Sequence, residues 1–532
     1  FNCPGHEIVD YNIFAIAGDG CMMEGVSGEA ASLAGHLGLS NLIWFYDNNH
    51  ITIEGHTSLA FSEDVAARFL AYHWNVQRVG DANDLEMLTR AIQTAINEPE
   101  RPSLIIVDSH IAYGSPNKQD TSGAHGEPLG EDEIKATKIN YGWDPDQKFY
   151  VPDEVKEYRE RVISEGKKLE KEWHKAFQAY AKEFPDLAKE FELIQNRQMP
   201  EGWDGCLPTF PADEKGVALR AANSQILNAI AENYPWLMGG AADLAPSTKT
   251  YIKGTTSFER DNYGGRNFHF GIREHAMGAI VNGMALSKLR PYGAGFLIFS
   301  DYMRAPIRLA CLMEQPVIYM FTHDSIGVGE DGPTHQPIEH LASLRAMPDL
   351  VVIRPGDANE LSVLWKYIME LKDRPVALIL TRQPVPTIDR SKYAGAEGAL
   401  KGAYILADCG GTPDVILIGT GSELQLCVGA HDRLTSEGIK SRVVSMPCWS
   451  LYESQEPSYW ENVLPASVRA RVAVEAGSTF GWRRYVGRHG EGGVVGLRVY
   501  GASAPIADLL EEFGLTVDGV VNMAKETIKN TK

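Results

Sequence analysis

The chain has 532 residues, of which 44% are hydrophobic and 23% charged, and its formal net charge is −20. This composition is typical of a globular protein, and the length exceeds what one core supports, so we expect about three domains. The acidic excess argues against nucleic acids and anionic membranes as partners, because both would repel the chain.

The cysteines and the hydropathy pattern indicate the compartment. Seven cysteines are scattered without a CxxC pair, which favours a reducing compartment over a disulfide framework or a zinc site. No apolar stretch reaches transmembrane length and no signal peptide is visible, so we expect a cytoplasmic location, with a plastid left open, and no membrane partner. The chain starts at Phe1 rather than at methionine, and we expect the beginning of a longer protein to be missing.

Apolar runs alternate with helical patterns in the first part of the chain, which predicts a parallel α/β architecture. Helical patterns cover residues 26–37 and 84–96. Residues 151–197 are charged and helix-periodic, and we predict that they form a helical connector on the surface. We predict buried strands at residues 13–17, 42–46 and 104–107.

The same alternation continues in two further blocks, which turn-rich stretches separate. We therefore predict domains over residues 1–197, 198–395 and 396–532. The predicted strands of the two later blocks are residues 316–322, 350–354, 376–381, 415–420, 441–445 and 471–475.

An aspartate between two glycines follows the first predicted strand, in the segment AIAGDGCMMEG. Alone, this Gly-Asp-Gly indicates a tight turn. Asn49, however, follows the next predicted strand, and two adjacent parallel strands would place Asp19 and Asn49 side by side at one sheet edge. A carboxylate, an amide carbonyl and a nearby backbone carbonyl are hard oxygen ligands, and they suit Mg²⁺ or Ca²⁺ completed by water and a diphosphate.

Two motifs of the second block have both a structural and a functional interpretation. Glu274 in FGIREHAMGAIVNG could pair with Arg273 or cap a helix. Phe296, Phe299 and Tyr302 recur at every third position, which normally indicates core packing.

A third motif, THDSIGVGEDGPTHQPIEHLASLR, places His323, Asp331 and His335 on a glycine-punctuated loop. A metal site there is disfavoured, because the loop has neither cysteine nor a helical HxxxH spacing. Two histidines and an aspartate on such a loop are also not typical of a hydrophobic core.

Together these motifs resemble transketolases, and the resemblance extends over the whole chain. It implies an α/β fold with two thiamine-diphosphate-binding-type parallel-sheet domains and a smaller C-terminal α/β domain, whose work is packing and dimer support. It also implies a homodimer with active sites at the subunit interface, and thiamine diphosphate with Mg²⁺ as cofactors, with Ca²⁺ or Mn²⁺ as substitutes. The implied reaction is the reversible transfer of a two-carbon ketol unit from a ketose phosphate to an aldose phosphate.

The resemblance also assigns residues to roles. The implied metal ligands are Asp19, Asn49 and the carbonyl of Ile51, and the implied catalytic residues are Glu274, His125 and His335. The implied cofactor contacts are Gly20, Glu24, Asn49, His125, Asp243, Leu244, Glu274, Phe296, Phe299 and Tyr302, where a solvated surface acid is an equal alternative for Glu24. The implied substrate contacts are His125, Arg220, Ser247, His323, Asp331, His335 and Arg382. His340 has no counterpart and is expected to be structural.

Three alternatives to this function stay open. One is a related ketol synthase that uses formaldehyde or pyruvate, which the phosphate-binding set disfavours. Another is a catalytically dead, dimeric fragment, suggested by the missing beginning. The third is a nucleotide-binding dehydrogenase, which would need a G-x-G-x-x-G fingerprint that GDGCMMEG does not supply.

Overall fold

A computed structural model describes residues 1–488 and 490–531. The chain forms two compact units, Phe1–Leu193 and Ile194–Lys532. Within the described residues, no helix combines the length and the apolar character needed to cross a membrane. The predicted domain boundaries at residues 197 and 395 stay predictions.

The first unit contains a four-stranded parallel sheet in the order β1-β2-β4-β3. Its strands are β1 (Ile13–Gly18), β2 (Leu42–Asn48), β3 (Asn75–Val79) and β4 (Ser103–Asp108). Its helices are α1 (Asp19–Met23), α2 (Gly25–Leu37), α3 (Val65–Ala71), α4 (Leu85–Ile96), α5 (Glu131–Asn140), α6 (Asp153–Glu183) and α7 (Pro185–Gln195). The three strands predicted for this block are confirmed as strands, and β3 was not predicted.

The prediction that β1 is buried is wrong. Ile13 and Phe14 are exposed, and Ile16 is 82% exposed. The reason is that β1 lies at the edge of the sheet and pairs only with β2, and no described element covers the face that carries Phe14 and Ile16. An apolar run therefore identified the strand correctly but not its environment.

The predicted connector consists of α6 and α7, and Pro185 begins the second of these helices because its ring cannot continue the first. Most side chains of α6 are exposed, as the charged pattern indicates. The helix is held near its end by the start of the chain, where the Trp173 indole donates to the Ile8 carbonyl at 2.9 Å. The tyrosine at position 180 is its one buried residue.

The second unit begins with a six-stranded parallel sheet in the order β10-β11-β9-β8-β6-β7 and an antiparallel ribbon of β5 and β12. These strands are β5 (Asp213–Ala218), β6 (Leu237–Ala241), β7 (Asn267–His269), β8 (Arg290–Phe296), β9 (Ile318–Thr322), β10 (Val351–Ile353), β11 (Val376–Leu380) and β12 (Pro384–Thr387). The helices around them are α8 (Leu219–Asn233), α9 (Ala245–Thr248), α10 (Glu274–Leu286), α11 (Arg304–Leu312), α12 (His340–Arg345) and α13 (Ala358–Glu370).

The same unit ends with a five-stranded sheet in the order β13-β15-β14-β16-β17, in which only β13 is antiparallel. Its strands are β13 (Tyr404–Ala407), β14 (Val415–Gly419), β15 (Ser441–Ser445), β16 (Arg471–Ser478) and β17 (Gly493–Leu497). Its helices are α14 (Leu424–Ser436), α15 (Trp449–Glu453), α16 (Pro457–Val463), α17 (Arg483–Val486), α18 (Ile506–Glu512) and α19 (Val517–Thr531). One buried apolar cluster includes residues of both sheets, so the two sheets share a core.

Candidate active site

The first group of predicted site residues gathers around a buried aspartate. Strands β1 and β2 pair in parallel with Gly18 opposite Asp47, so their carboxyl ends meet as predicted. Asp19 is 3% exposed. One of its carboxylate oxygens accepts from the Tyr46 hydroxyl at 2.6 Å, and the other accepts from the His50 amide at 3.0 Å. The turn after β2 is therefore held against the Asp19 carboxylate.

The other two predicted ligands lie in that turn. The Ile51 amide donates to the side-chain oxygen of Asn49 at 3.0 Å, and the Asn49 amide group donates to Asp47 at 2.9 Å. The backbone at His50 is left-handed, with φ of 64°, which reverses the chain here. Asp19, Asn49 and Ile51 thus belong to one hydrogen-bonded turn. Within this turn, the side-chain oxygen and the side-chain amide group of Asn49 each already have a hydrogen-bond partner.

The charge of this turn fits a divalent cation. Within the described chain, no lysine, arginine or histidine side chain forms an ion pair with Asp19. Burial, together with the hydrogen bond and the negative charge of Asp19, raises the pKa of Tyr46. A buried carboxylate is costly without a compensating positive charge. Carboxylate, amide and carbonyl oxygens are the ligands that Mg²⁺ and Ca²⁺ take in proteins.

The remaining predicted site residues of the first unit are Gly20, Glu24 and His125. Gly20 follows Asp19 in α1, and its carbonyl accepts from the amide of the exposed Glu24 at 3.2 Å. His125 follows a 3₁₀ turn, and its Nδ1 atom is buried without a hydrogen-bond partner among the described residues. No hydrogen bond between described residues joins His125 to the Asp19 turn.

In the second unit, four neighbouring strands end in predicted site residues. The sheet order places β11, β9, β8 and β6 side by side. Arg382 follows β11, His323 follows β9, Phe296 ends β8 and Asp243 follows β6. Because these strands are parallel, their carboxyl ends form one crevice, which is where open α/β sheets bind ligands.

The three predicted ring-binding residues form one aromatic face. Phe296 stacks on Phe299 at 6.0 Å between ring centroids, and Phe299 lies 6.1 Å from Tyr302. Their three-residue period matches a 3₁₀ helix, Leu297–Met303, in which every third side chain is eclipsed. The two predicted substrate histidines contact the same face, with His323 stacked on Phe296 at 3.6 Å and His335 edge-on to Phe299 at 5.6 Å.

Positive charge collects beside this aromatic face. The Arg220 amide donates to the Thr381 carbonyl at 3.4 Å, which brings the start of α8 next to Arg382. The Arg220 guanidinium donates to the Ser247 carbonyl at 2.7 Å, while its Nε atom is buried without a hydrogen-bond partner in the described residues. Burial and the charge of Arg382 lower the pKa of Arg220. In the part of the chain that the structure describes, neither arginine forms an ion pair with a carboxylate.

His323 completes this cationic cluster of Arg220, Arg382 and His323. It is 4% exposed, and its Nδ1 atom is 2.8 Å from the hydroxyl oxygen of Thr322. Burial is the largest cause that lowers the pKa of His323 to about 3, and the charges of Arg220, Arg382 and His335 add to it. The imidazole is therefore neutral near pH 7, so the two arginines carry the positive charge of the cluster.

The other predicted site residues of the second unit lie at helix starts and in loops. Glu274 is the first residue of α10 and is half-buried, where the helix dipole stabilises a carboxylate. Asp243 is exposed in a left-handed conformation, with φ of 62°, and Leu244 packs against the core. Asp331 is exposed in the loop after β9.

The structure shows two sets of supporting residues that the sequence does not reveal. It also shows the contacts of His340, for which the sequence predicts a structural role. Tyr46 and the His50 amide hold Asp19, and Thr322 holds His323, yet the sequence motifs assign no role to any of them. His340, expected to be structural, is buried and bonds through Nε2 to Asp301 at 3.0 Å. These contacts depend on the folded chain rather than on local spacing.

The fold and the two groups of residues define a class: an α/β transferase with thiamine diphosphate binding domains. Three family models match the chain: "transketolase, thiamine diphosphate binding domain" over residues 1–200, "transketolase, pyrimidine binding domain" over 215–387 and "transketolase-like TK C-terminal domain" over 402–516.

Relatives and solved structures agree with these matches. A transketolase of Halalkalibacterium halodurans is 51% identical over 531 residues, which cover 100% of this chain and 79% of that protein. A chloroplastic transketolase of Arabidopsis thaliana is 47% identical and covers 99% of this chain and 71% of its own. The structure of the Pichia stipitis transketolase in complex with sedoheptulose-7-phosphate superposes with a TM-score of 0.95 at 40% identity, covering 99% of this chain and 78% of its own. The chain belongs to the transketolase family.

We expect that the His323 imidazole does not titrate between pH 5 and pH 8. An ordinary histidine has a pKa near 6.5, so His323 of the unfolded chain binds a proton below about pH 6.5. In the native chain His323 binds this proton only when the pH falls to about 3. The contribution of His323 to stability is therefore present above pH 6.5 and is lost as the pH falls below it. NMR of histidine labelled at Cε1 measures this, with His323→Gln to assign the resonance. A midpoint near 6.5 would contradict the buried, cation-flanked geometry.

Proposed function

We propose that this chain transfers a two-carbon ketol unit reversibly between sugar phosphates, from a ketose phosphate such as xylulose 5-phosphate to an aldose phosphate such as ribose 5-phosphate. The observation that carries this proposal is the cationic cluster, which has no ion-paired carboxylate in the described chain and adjoins the aromatic face. A phosphate supplies the missing negative charge, and the arginine forks suit a phosphate that is located but not transferred.

The first unit contributes the turn that carries Asp19, Asn49 and Ile51, which we call the metal turn. Asp19, Asn49 and the Ile51 carbonyl would hold Mg²⁺, and the ion would hold the diphosphate of thiamine diphosphate. The support is the buried Asp19 carboxylate without an ion-paired cation and the turn that keeps the other two residues beside it. The side-chain oxygen of Asn49 would bind the metal in place of the hydrogen bond that it accepts from the Ile51 amide. Gly20, Glu24 and His125 would lie around the diphosphate.

The second unit contributes the ring-binding face. Phe296, Phe299 and Tyr302 would stack against the pyrimidine ring, since flat heteroaromatic rings pack well in offset contact. Glu274 would share a proton with the ring nitrogen N1′ from the start of α10. Asp243 and Leu244 would lie beside the ring. When bound, thiamine diphosphate supplies the carbon nucleophile and the electron sink for the ketol carbon.

The substrate would extend from the aromatic face to the cationic cluster. Arg220, Ser247, His323 and Arg382 would bind its phosphate, where neutral His323 can donate one hydrogen bond without adding charge. His335 and Asp331, together with His125, would contact the hydroxyl groups near the reacting carbon.

We propose a homodimer, in which the metal turn of one subunit and Glu274 of its partner serve the same site, and a cytoplasmic location. The family membership supports the shared site.

A ketol synthase that uses formaldehyde or pyruvate is the second candidate. Neither compound carries a phosphate, so the cationic cluster would have no ligand on that side of the reaction. The cluster therefore favours sugar phosphates as both donor and acceptor.

Calorimetric titration with thiamine diphosphate tests cofactor binding by this chain. We expect binding only when Mg²⁺ is present, and we expect Asp19→Asn to weaken it by more than about tenfold, because the metal loses its one charged ligand. Asp84→Asn is the matched control, since asparagine also caps α4, whose Met87 amide bonds to Asp84. Binding that does not depend on Mg²⁺ would remove the metal from the proposal, and absence of binding by a folded dimer would favour the inactive-fragment alternative.

Glu274→Ala should lower kcat for ketol transfer by about 10²-fold or more, the usual contribution of a positioned proton donor or acceptor. The melting temperature should change little, because Glu274 is half-buried at a helix start. Glu232→Ala, which removes an exposed glutamate of α8, serves as the control for both measurements. A Glu274→Ala protein with near-normal kcat would show that this glutamate is not catalytic.

Arg382→Leu separates phosphate recognition from ketol chemistry. We expect KM for a ketose phosphate to rise by about tenfold or more, because a charged hydrogen bond to the phosphate is lost. The rate with a ketol donor and an acceptor that both lack a phosphate should change by less than about twofold, since neither compound reaches Arg382. Equal losses with both donors would mean that the cluster does not bind the substrate phosphate.

A further inference from the structure

The segment after β9 carries three of the proposed substrate contacts on one loop. We call residues 323–336 the substrate loop; it includes His323, Asp331 and His335. Between β9 and α12 it forms only one short 3₁₀ turn, Ile326–Val328, so its own backbone bonds fix it weakly. Its conformation therefore depends on contacts with other segments.

The first anchor lies at Asp324, directly after His323. The Arg354 guanidinium donates to one Asp324 oxygen from Nε at 3.1 Å and from Nη2 at 2.7 Å. Its third nitrogen donates to Glu423 at 2.5 Å and to the Thr420 carbonyl at 2.9 Å. Asp324, Arg354 and Glu423 are all buried. Glu423 and Thr420 belong to the C-terminal region, which we define as residues 402–531.

Two further anchors lie beside Asp331 and His335. Gln336 is buried, and its amide group donates to the Gly329 carbonyl at 2.8 Å and to the Ala502 carbonyl at 2.9 Å. Ser503 donates from its hydroxyl to the carbonyl of Glu330, the residue before Asp331. The backbone is close here, because a Cβ atom on Gly501 would lie 1.8 Å from the Gln336 side-chain oxygen.

A fourth anchor follows the loop at the end of α12. Arg345 forms two hydrogen bonds with Glu475 of β16, at 2.8 and 2.7 Å, and its guanidinium lies 4.2 Å from the Trp449 ring centroid. The Trp482 indole donates to the same Glu475 at 2.8 Å. The acceptor and both rings come from the C-terminal region, so that region also holds the chain after the substrate loop.

We propose that the C-terminal region positions the substrate loop, with Gln336 and Ser503 as positioning residues for the sugar-phosphate contacts. The inference rests on the proposed function. Each of the three substrate contacts has a neighbour in the sequence that bonds, directly or through Arg354, to the C-terminal region: Asp324 beside His323, Glu330 beside Asp331 and Gln336 beside His335. The region contributes none of the proposed substrate contacts itself, yet it determines where they lie.

The test uses Gln336→Met in the full chain, which keeps the side-chain length and removes both donated hydrogen bonds. We expect kcat/KM for a ketose phosphate to fall by about tenfold or more, because small displacements of positioning groups are costly. The affinity for thiamine diphosphate with Mg²⁺ should stay within about twofold, since the loop provides no proposed cofactor contact. Tyr459→Phe is the matched control: it removes a 2.8 Å hydrogen bond to the Ala403 carbonyl elsewhere in the C-terminal region.

Ser503→Ala provides a second variant at an exposed position, in case Gln336→Met fails to fold. It should lower kcat/KM in the same direction, and Ser503→Thr, which restores the hydroxyl donor, should recover it. If Gln336 and Ser503 contributed only to global stability, their variants would have a lower melting temperature and an unchanged kcat/KM.

Hydrogen exchange of the amides of residues 329–336 is measured on the same proteins without cofactor. Faster exchange in Gln336→Met than in wild type and Tyr459→Phe supports the proposal, and equal exchange contradicts it. Wild-type kcat/KM in both Gln336→Met and Ser503→Ala would also overturn it while leaving the proposed function intact. A wild-type chain without ketol transfer would instead contradict the proposed function, and hydrogen exchange would still decide whether the C-terminal region holds the loop.

Discussion

Arg354 carries its positive charge in the interior of the second unit, and the carboxylates around it determine how that unit is arranged. Asp324 and Glu423 bond to it directly, and Glu475 lies 4.0 Å away. Removing one partner of such a buried group costs about 3–5 kcal/mol, because a charge is left without compensation. Burial raises the pKa of Glu423 despite the adjacent arginine, whereas Arg345 and Arg354 outweigh burial and lower the pKa of Glu475. The strand ends that carry these acids therefore have one favourable arrangement.

The buried charges of Arg354 and its carboxylates compensate one another. Asp324 of this network is the sequence neighbour of His323, which belongs to the uncompensated cationic cluster. Arg220, Arg382 and His323 carry or face positive charge with no ion-paired carboxylate in the described chain, although the whole protein has a net charge of −20. Asp324 is the acid nearest to His323 in the sequence, but both its bonds to Arg354 turn it toward the interior. Because Arg354 engages that acid, the cationic cluster keeps its charge for an external anion.

The sequence predicts the regular part of this fold better than its glycine-rich strands. Periodic apolar runs located β9, β10, β11 and β14 to β16 within a few residues. Strands β6 and β8 were missed, because their glycines resemble a loop pattern. The glycines are required by close strand packing: a Cβ atom on Gly240 would lie 1.7 Å from the Phe268 carbonyl oxygen. The exposure of β1 was also unpredictable, since a strand's own residues do not reveal whether another element covers it.

The candidate site divides in the same way. The pairing of the Asp19 and Asn49 turns follows from the spacing of two strands, and the structure brings these turns together. The spacing of Phe296, Phe299 and Tyr302 indicated only core packing, and their grouping as an aromatic face was implied by the family resemblance. No motif assigns a role to Tyr46, Arg354 or Gln336, although Gln336 lies within a sequence motif, because each acts through a contact between distant segments.

The C-terminal region shows why the absence of a catalytic motif is a weak guide to function. From sequence, its expected work was packing and dimer support, since it has no catalytic cluster comparable to those of the first two blocks and resembles the family's C-terminal domain. Its groups that contact the second block, however, include Glu423, Glu475 and the carbonyl of Ala502, and these bond to segments next to the proposed substrate contacts. A loop with one short turn of regular structure cannot hold three side chains in register by itself. We therefore expect the proposed chemistry at the carboxyl ends of the six-stranded sheet to depend on these buried polar contacts, and we expect substitutions that affect the substrate to occur where no substrate binds.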